Sequence, residues 1–536
     1  MGAEPRAFSD RRGFILTAKH FMSLRPLQAI EKHTSFSLIL ILLFTLFLKL
    51  LVLLRNPVIN NDAVLYIKLA KDISLDGKIL LNRPPFLPLL IAFFHIFIHN
   101  WLWAGHLVMI AALTLLVLPA YAIASHLWGK EGGLATALFV SVSPFFNKFA
   151  CDLVKGPLFW LFALLFIYFL LKYLQTQKFS FLSLIGISFV LSLLSRREAV
   201  LLVIPAGVIL LIQWMKGRRL IIKLLLAIAS VVLIGILTST PLWVYSYAKG
   251  KSVRSVYNTW SRTVRSELVF FSPVTNYRKL DKELRKVEKV MPAQGTSYNF
   301  AEIARHYIPV VYFVGFIELL GRVVYPLFFF LALLGIWKSC KERSPPEHCI
   351  VLFFLVLYLF LGLLYLNSRN WVDKRYVLFA ALLFHFWIWP GFVRIRGYFE
   401  NKKLGIYSFA QIVFVLLIML PFLKTVTIKR GRELILRDSG QWIQRNGKIA
   451  GPVWCSDYRI AFYASRPVIR GSKEESAKGG DFGKKALKKG AAYIALKMKK
   501  GKTPVSQTNF TLVQKFPGSK KVIFLFKRRP AHDNRK

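Results

Sequence analysis

Apolar residues in this chain are bunched into blocks whose length matches a lipid bilayer. Phe36 to Leu54 and Leu220 to Tyr245 each hold a single lysine. Both are near the ~20 residues that a helix needs to cross a hydrocarbon core. Of 536 residues 55% are hydrophobic, and the mean hydropathy is +0.48. A soluble chain of that size would spread its apolar residues over several domains, so this clustering marks membrane-spanning sequence.

Eleven spans are expected: Phe36–Leu54, Trp103–Leu127, Leu134–Phe146, Pro157–Leu174, Phe179–Leu194, Ala199–Met215, Leu220–Tyr245, Val310–Trp337, Ile350–Leu366, Tyr376–Val393 and Leu404–Leu423. Met1 to Ser35 is polar and basic, so the positive-inside rule puts it in the cytoplasm. The first block starts too late and is too long for a cleaved leader, and is expected to stay as a signal anchor. With an odd count, the loops on the cytoplasmic face, Gly129–Gly133 and Lys338–Glu347 among them, are nearly all short and basic. The outer side then holds two large loops, residues 55–100 and 246–309. The second is basic, but loops of that length cross regardless of charge. Within the first, Pro85 to His99 is apolar but only about fifteen residues long, which suits a helix lying on the outer leaflet.

Beyond Leu423 the pattern changes. Arg432 to Arg445 reads as a helix, and Val453–Cys455, Tyr493–Leu496, Leu512–Phe516 and Val522–Phe526 read as short strands. Lys473 to Gly483 reads as a polar linker. The expected fold is thus mainly α, a polytopic transmembrane helical bundle with a small C-terminal α/β domain. Residues 1–35 form a basic N-terminus, 36–423 the membrane domain, and 424–536 the soluble domain on the outer side.

The net charge of +48 suggests nucleic acid in a soluble protein. Here most Lys and Arg lie in short loops and at the two ends, where they orient a membrane protein and meet anionic lipid, so no nucleic-acid partner is expected. The 4 cysteines form no CxxC pair, which removes zinc-finger and thioredoxin readings. His95 and His99 stand four apart without an evident third ligand, so a membrane-surface role is favoured over a metal site. No Gly-rich phosphate loop or Asp-x-Asp motif appears in a soluble segment, which argues against a cytoplasmic nucleotide-sugar enzyme.

Two short motifs carry the chemical signal. In the first outer loop, Asp62, Tyr66, Leu69 and Ala70 share one face of a helix that begins near Asn61. On spacing alone Asp62 reads more simply as a helix cap than as a site residue. Further on, Arg83-Pro84-Pro85 holds a cation near the bilayer surface. By itself it reads equally as a snorkelling arginine at a helix start.

Together, an early outer-loop Asp, a Tyr four residues on and Arg-Pro-Pro about twenty later resemble the C-type glycosyltransferase superfamily. The branch resembled holds the protein O-mannosyltransferases and bacterial lipid A aminoarabinose transferases. Ser143-Pro144, Asp152 with Lys155-Gly156-Pro157, Ser195-Arg196-Arg197-Glu198, Lys374-Arg375-Tyr376, and Trp442-Ile443 with Asp457 to Tyr463 follow in that family's order. The resemblance implies transfer of a sugar from a polyprenyl-phosphate donor to a lipid, glycan or protein acceptor, in one inverting displacement at the outer face of a bacterial plasma (inner) membrane. It implies Asp62 as general base and Arg83 as a phosphate ligand. Arg197, Arg375 and Lys155, at outer ends of spans, are further candidates for the phosphate, with Arg forks suited to its geometry. Tyr66, Asp152 and Glu198 are candidate substrate contacts, Asp152 reading equally as a helix cap, and Arg196 is as well placed as Arg197. Family members often carry a second acid directly after the first Asp; Ala63 stands there, so no resident metal or other cofactor is expected. The alternatives are a transporter or flippase, or a polymerase or ligase, of lipid-linked glycans. Spans nearly free of charge and the absence of repeated halves weigh against a transporter.

Overall fold

A computed structural model describes residues 34–76, 85–215, 280–286, 290, 296–341, 345–369, 374–400, 407–428, 433–447, 449–471 and 481–529. Six helices among them are long and apolar enough to cross a membrane: Thr34–Arg55, Trp101–Val142, Gly156–Thr176, Glu302–Val324, Pro346–Leu366 and Tyr376–Tyr398. The chain is a multi-pass membrane protein. The 42-residue stretch Trp101–Val142 is too long for one crossing, since a straight helix of that length would run ~60 Å. It breaks at Gly129, whose φ of +78° and ψ of 177° leave the helix at the short turn expected between two spans.

Other segments differ from the expected spans for local reasons. Val310–Trp337 is not one helix. Thr296–Val324 ends and Pro326–Lys341 begins at Tyr325, which takes a φ of +85°. Pro326 disfavours helical geometry in the residue before it, and that sets the break. Ala199–Met215 opens with a 3-10 turn, Arg197–Leu202, before the short helix Val203–Met215. Phe86–Ile98 is a 13-residue helix, about 20 Å long and short of a bilayer core. The expected span Leu220–Tyr245 lies outside the described residues.

The bundle core gathers around Gly156–Thr176, which packs along Phe179–Ser195, and around the buried run Val377–Trp387. Helices Pro326–Lys341 and Ile388–Glu400 cross at glycine. A methyl on Gly335 would stand 2.1 Å from the Trp387 carbonyl oxygen, and one on Gly391 1.9 Å from that of Leu331. Small residues that let backbones approach are a main device for packing helices in lipid.

The spans are not wholly free of charge. Lys49 is buried, and its ammonium donates to the Asn147 side-chain oxygen. Asn147 donates to the Ser141 carbonyl at 2.8 Å and to Thr425 at 3.3 Å. Thr45 donates to the Ser141 hydroxyl at 2.6 Å. The first helix, the Ser141–Asn147 turn and the last membrane helix are thereby joined through polar groups that have no water to turn to.

After the last membrane helix, Tyr407–Val426, comes a five-stranded sheet with the order β2-β1-β3-β5-β4. Its strands are β1 Val453–Cys455, β2 Val468–Arg470, β3 Tyr493–Lys499, β4 Phe510–Pro517 and β5 Lys521–Arg528. β1 runs parallel to β2 and β3, while β5 is antiparallel to β3 and β4. Helix Leu434–Asn446 buries Ile435, Leu436 and Ile443 against the sheet. β2 escapes sequence reading because it is a three-residue edge strand with exposed ends.

Candidate functional site

The chain segment leading to Asp62 is fixed before its helix begins. Asn60 uses both ends of its amide: its oxygen accepts from the Leu153 backbone N–H at 3.1 Å, and its nitrogen donates to the Leu153 carbonyl at 3.3 Å. The segment that carries Asp152 and Lys155 is therefore held against the start of helix Asn61–Asp76. Asp62 stands inside the first turn of that helix, where a carboxylate is favoured by the exposed N–H groups. Ala63 is fully buried, and Tyr66 is buried beside it among Ile59, Ile67 and Leu87.

Asp152 is buried, in extended backbone four residues before helix Gly156–Thr176. The cap position of that helix belongs to Lys155, so Asp152 is no N-cap. The Lys155 ammonium lies 5.7 Å from the centre of the Tyr66 ring, a cation–π distance.

A second group forms where Phe179–Ser195 gives way to the 3-10 turn Arg197–Leu202. Arg196 grips Glu198 with two bonds, Nε to Oε2 at 3.2 Å and Nη2 to Oε1 at 2.6 Å. The pair is largely buried, with side-chain exposures of 13% and 19%. The Tyr358 hydroxyl donates to the Glu198 backbone carbonyl at 3.2 Å, and Tyr365 approaches Oε1 at 3.5 Å. Tyr365 stacks on Tyr376 at 4.2 Å, and the guanidinium of Arg196 faces Tyr376 at 5.4 Å. Burial alone would raise the Glu198 carboxyl, but Arg196, and more weakly Lys155, hold it below the usual carboxylate range. Burial works against the Arg196 charge too, and Glu198 outweighs it. These residues line a cavity of about 10 Å³, room for one water. The buried indole N–H of Trp160, on its wall, has no hydrogen-bond partner among the described residues.

Lys155 connects the two groups: its ammonium faces Tyr66, and its charge also acts on Glu198. Tyr66, Lys155 and Glu198 are thus linked, with Asp62 on the helix of Tyr66 and Asp152 on the segment that leads to Lys155. Arg197 follows Arg196 and is half-buried. Arg375 stands at the start of helix Lys374–Phe384, one residue before Tyr376, and its side chain lies outside the described residues, as does all of Arg83. His95 stacks on Trp101 at 3.6 Å, and among the described residues no group of three His, Cys, Asp or Glu side chains is placed to hold a metal.

Sequence reading did not single out Asn60, Tyr358, Tyr365 or Trp160. Tyr358 and Tyr365, seven apart in an otherwise apolar span, fall on one helix face, and that spacing was the available signal.

A family model described as dolichyl-phosphate-mannose-protein mannosyltransferase matches residues 82–245. Among solved structures, the Archaeoglobus fulgidus oligosaccharyltransferase in complex with zinc and sulfate aligns with a TM-score of 0.55 at 12% identity. That alignment covers 92% of this chain and 74% of that one. ArnT from Cupriavidus metallidurans bound to undecaprenyl phosphate aligns with a TM-score of 0.53 at 13% identity, over 91% of this chain and 97% of that one. Its apo form gives 0.54 at 11% identity with the same coverage. No curated protein matches the sequence. This chain thus shares the fold of these two transferases, and its residues 82–245 are similar to the mannosyltransferase family, in line with the resemblance carried by the early Asp and Arg-Pro-Pro motifs.

Proposed function

We propose that this chain transfers a sugar from a polyprenyl-phosphate donor to a lipid, glycan or protein acceptor at the outer face of a bacterial plasma membrane. The observation that carries the reading is the Asn60–Leu153 tie. Through it the start of the Asp62 helix lies against the segment that carries Asp152 and Lys155, which supports reading them as one site. Asp62 takes the proton of the acceptor hydroxyl as it attacks the anomeric carbon. Arg83, Lys155, Arg197 and Arg375 neutralise the departing lipid phosphate. Tyr66, Asp152 and Glu198 orient the sugar or the acceptor. The displacement is single, and so inverting. Electrostatic support of the leaving phosphate is the largest aid such a transfer can receive. The similarity to an undecaprenyl-phosphate-bound relative and to the mannosyltransferase family model supports a lipid-linked donor.

The test is the choice of donor. Purified protein in detergent is expected to transfer from a synthetic undecaprenyl-phosphate sugar and not from a free nucleotide sugar. Turnover with a nucleotide sugar and no lipid would overturn the reading. A chelator is expected to leave transfer unchanged. Position 63, where relatives often carry a second acid, is an alanine packed into the core and offers no ligand. Strict dependence on a divalent ion would contradict that part alone.

Orientation is open to a separate measurement. With eleven spans and a cytoplasmic N-terminus, the soluble domain faces outward. Alkaline phosphatase fused after Lys536 is then expected to be active, and a fused cytoplasmic fluorescent reporter dark. The reverse pattern would mean an even count and a site on the inner face.

A further inference from the structure

The soluble domain touches the membrane region on the stretch of backbone that leads into Asp62. The Tyr463 hydroxyl accepts from the Ile59 N–H at 3.0 Å and donates to the Pro57 carbonyl at 3.3 Å. Arg459 Nη1 donates to the Ile59 carbonyl at 3.2 Å. Three backbone groups between Pro57 and Ile59 are therefore held by two side chains of one short helix, Tyr458–Tyr463.

Those side chains are themselves fixed. Arg459 forks onto Asp457 with two bonds of 2.9 Å, and its Nη1 also reaches Glu433 at 2.7 Å. Lys497, on β3, adds a bond of 2.8 Å to Asp457. Phe462 and Tyr463 pack against the apolar cluster of Ile59, Ala63, Tyr66 and Ile67. The next residue, Asn60, is tied to Leu153. A buried ion pair is unfavourable unless its hydrogen bonds are completed. Here the pair completes its bonds in part on a backbone carbonyl three residues before Asp62.

We propose that Tyr463 and Arg459 are positioning residues for Asp62, and that the soluble domain sets the place of this carboxylate through the backbone of Pro57–Ile59. The proposal rests on the reading of Asp62 as the base. Domain and base are one mechanical unit: the first membrane helix ends, three residues are gripped from outside, and the helix of Asp62 begins. A misplacement of about 1 Å at a reacting group can cost as much as a hundredfold in rate.

The test uses the full chain in detergent with Tyr463→Phe, which keeps the ring and removes only the hydroxyl, and Arg459→Lys, which keeps the charge and removes the fork. Hydrogen exchange is followed by mass spectrometry on the peptide spanning residues 57–66. Transfer is measured with whichever member of a panel of synthetic undecaprenyl-phosphate monosaccharides the unmodified protein uses. Faster exchange in that peptide is expected for both variants. With it should come a fall in kcat of about tenfold or more and an unchanged KM for the donor, with the unfolding midpoint unchanged for Tyr463→Phe and lowered only for Arg459→Lys, which breaks the buried fork. Unchanged exchange overturns the grip itself. Faster exchange with intact kcat, or a parallel loss of kcat, KM and midpoint, overturns the positioning role. Normal turnover by Asp62→Asn would sink the base reading separately, while the exchange experiment would still measure the grip.

Discussion

Asp62→Asn is expected to insert, fold and lose transfer. The substitution keeps the size of the side chain and removes its capacity to take a proton. Asparagine is also well tolerated at a helix start, so the helix Asn61–Asp76 should survive. A positioned base contributes about 10²–10⁴ in rate, and a loss of that order is expected in kcat with an undecaprenyl-phosphate sugar. Donor affinity should change little, because the phosphate cations are untouched. A variant that turns over at the normal rate would return Asp62 to the simpler role of favouring its helix start.

That alternative was the simpler reading of position 62 from spacing, and the structure shows why spacing could not decide. The proposed role of Asp62 rests on its company, and that company is distant in sequence. Asn60 meets Leu153, and the preceding backbone meets Arg459 and Tyr463. Blocks of apolar residues reveal a membrane bundle because the bilayer fixes their length. They do not show which outer ends converge. The motif order supplied that, through resemblance. The break at Gly129 falls in a turn expected between two spans, whereas the break before Pro326 falls inside the expected span Val310–Trp337, where the apolar run hides it. Lys49 was in plain view inside a span, but its partner Asn147 lies 98 residues away. In sequence Arg196 and Glu198 are two charged residues at a span end. That they bind one another, beneath Tyr358 and Tyr365, is a fact of packing.

This pair allows structural and functional roles to be separated. Arg196→Met leaves the Glu198 carboxylate largely buried without its main cation, and should destabilise the protein by about 3–5 kcal/mol. Glu198→Gln leaves the guanidinium uncompensated and should also lower the unfolding midpoint. Replacing both removes both charges from the low-dielectric site. The double variant should therefore be more stable than either single variant, with a favourable coupling in the four-member cycle. Transfer is expected to respond differently. Glu198 lines the cavity with Trp160 and senses the charge of Lys155, which also faces Tyr66. If Glu198 orients substrate there, the double variant regains the unfolding midpoint but not transfer from the undecaprenyl-phosphate sugar. A double variant that regains both would reduce the pair to a fastener between helices. In that case the proposed substrate contacts would be confined to the side of Lys155 that carries Asp62, Tyr66 and Asp152.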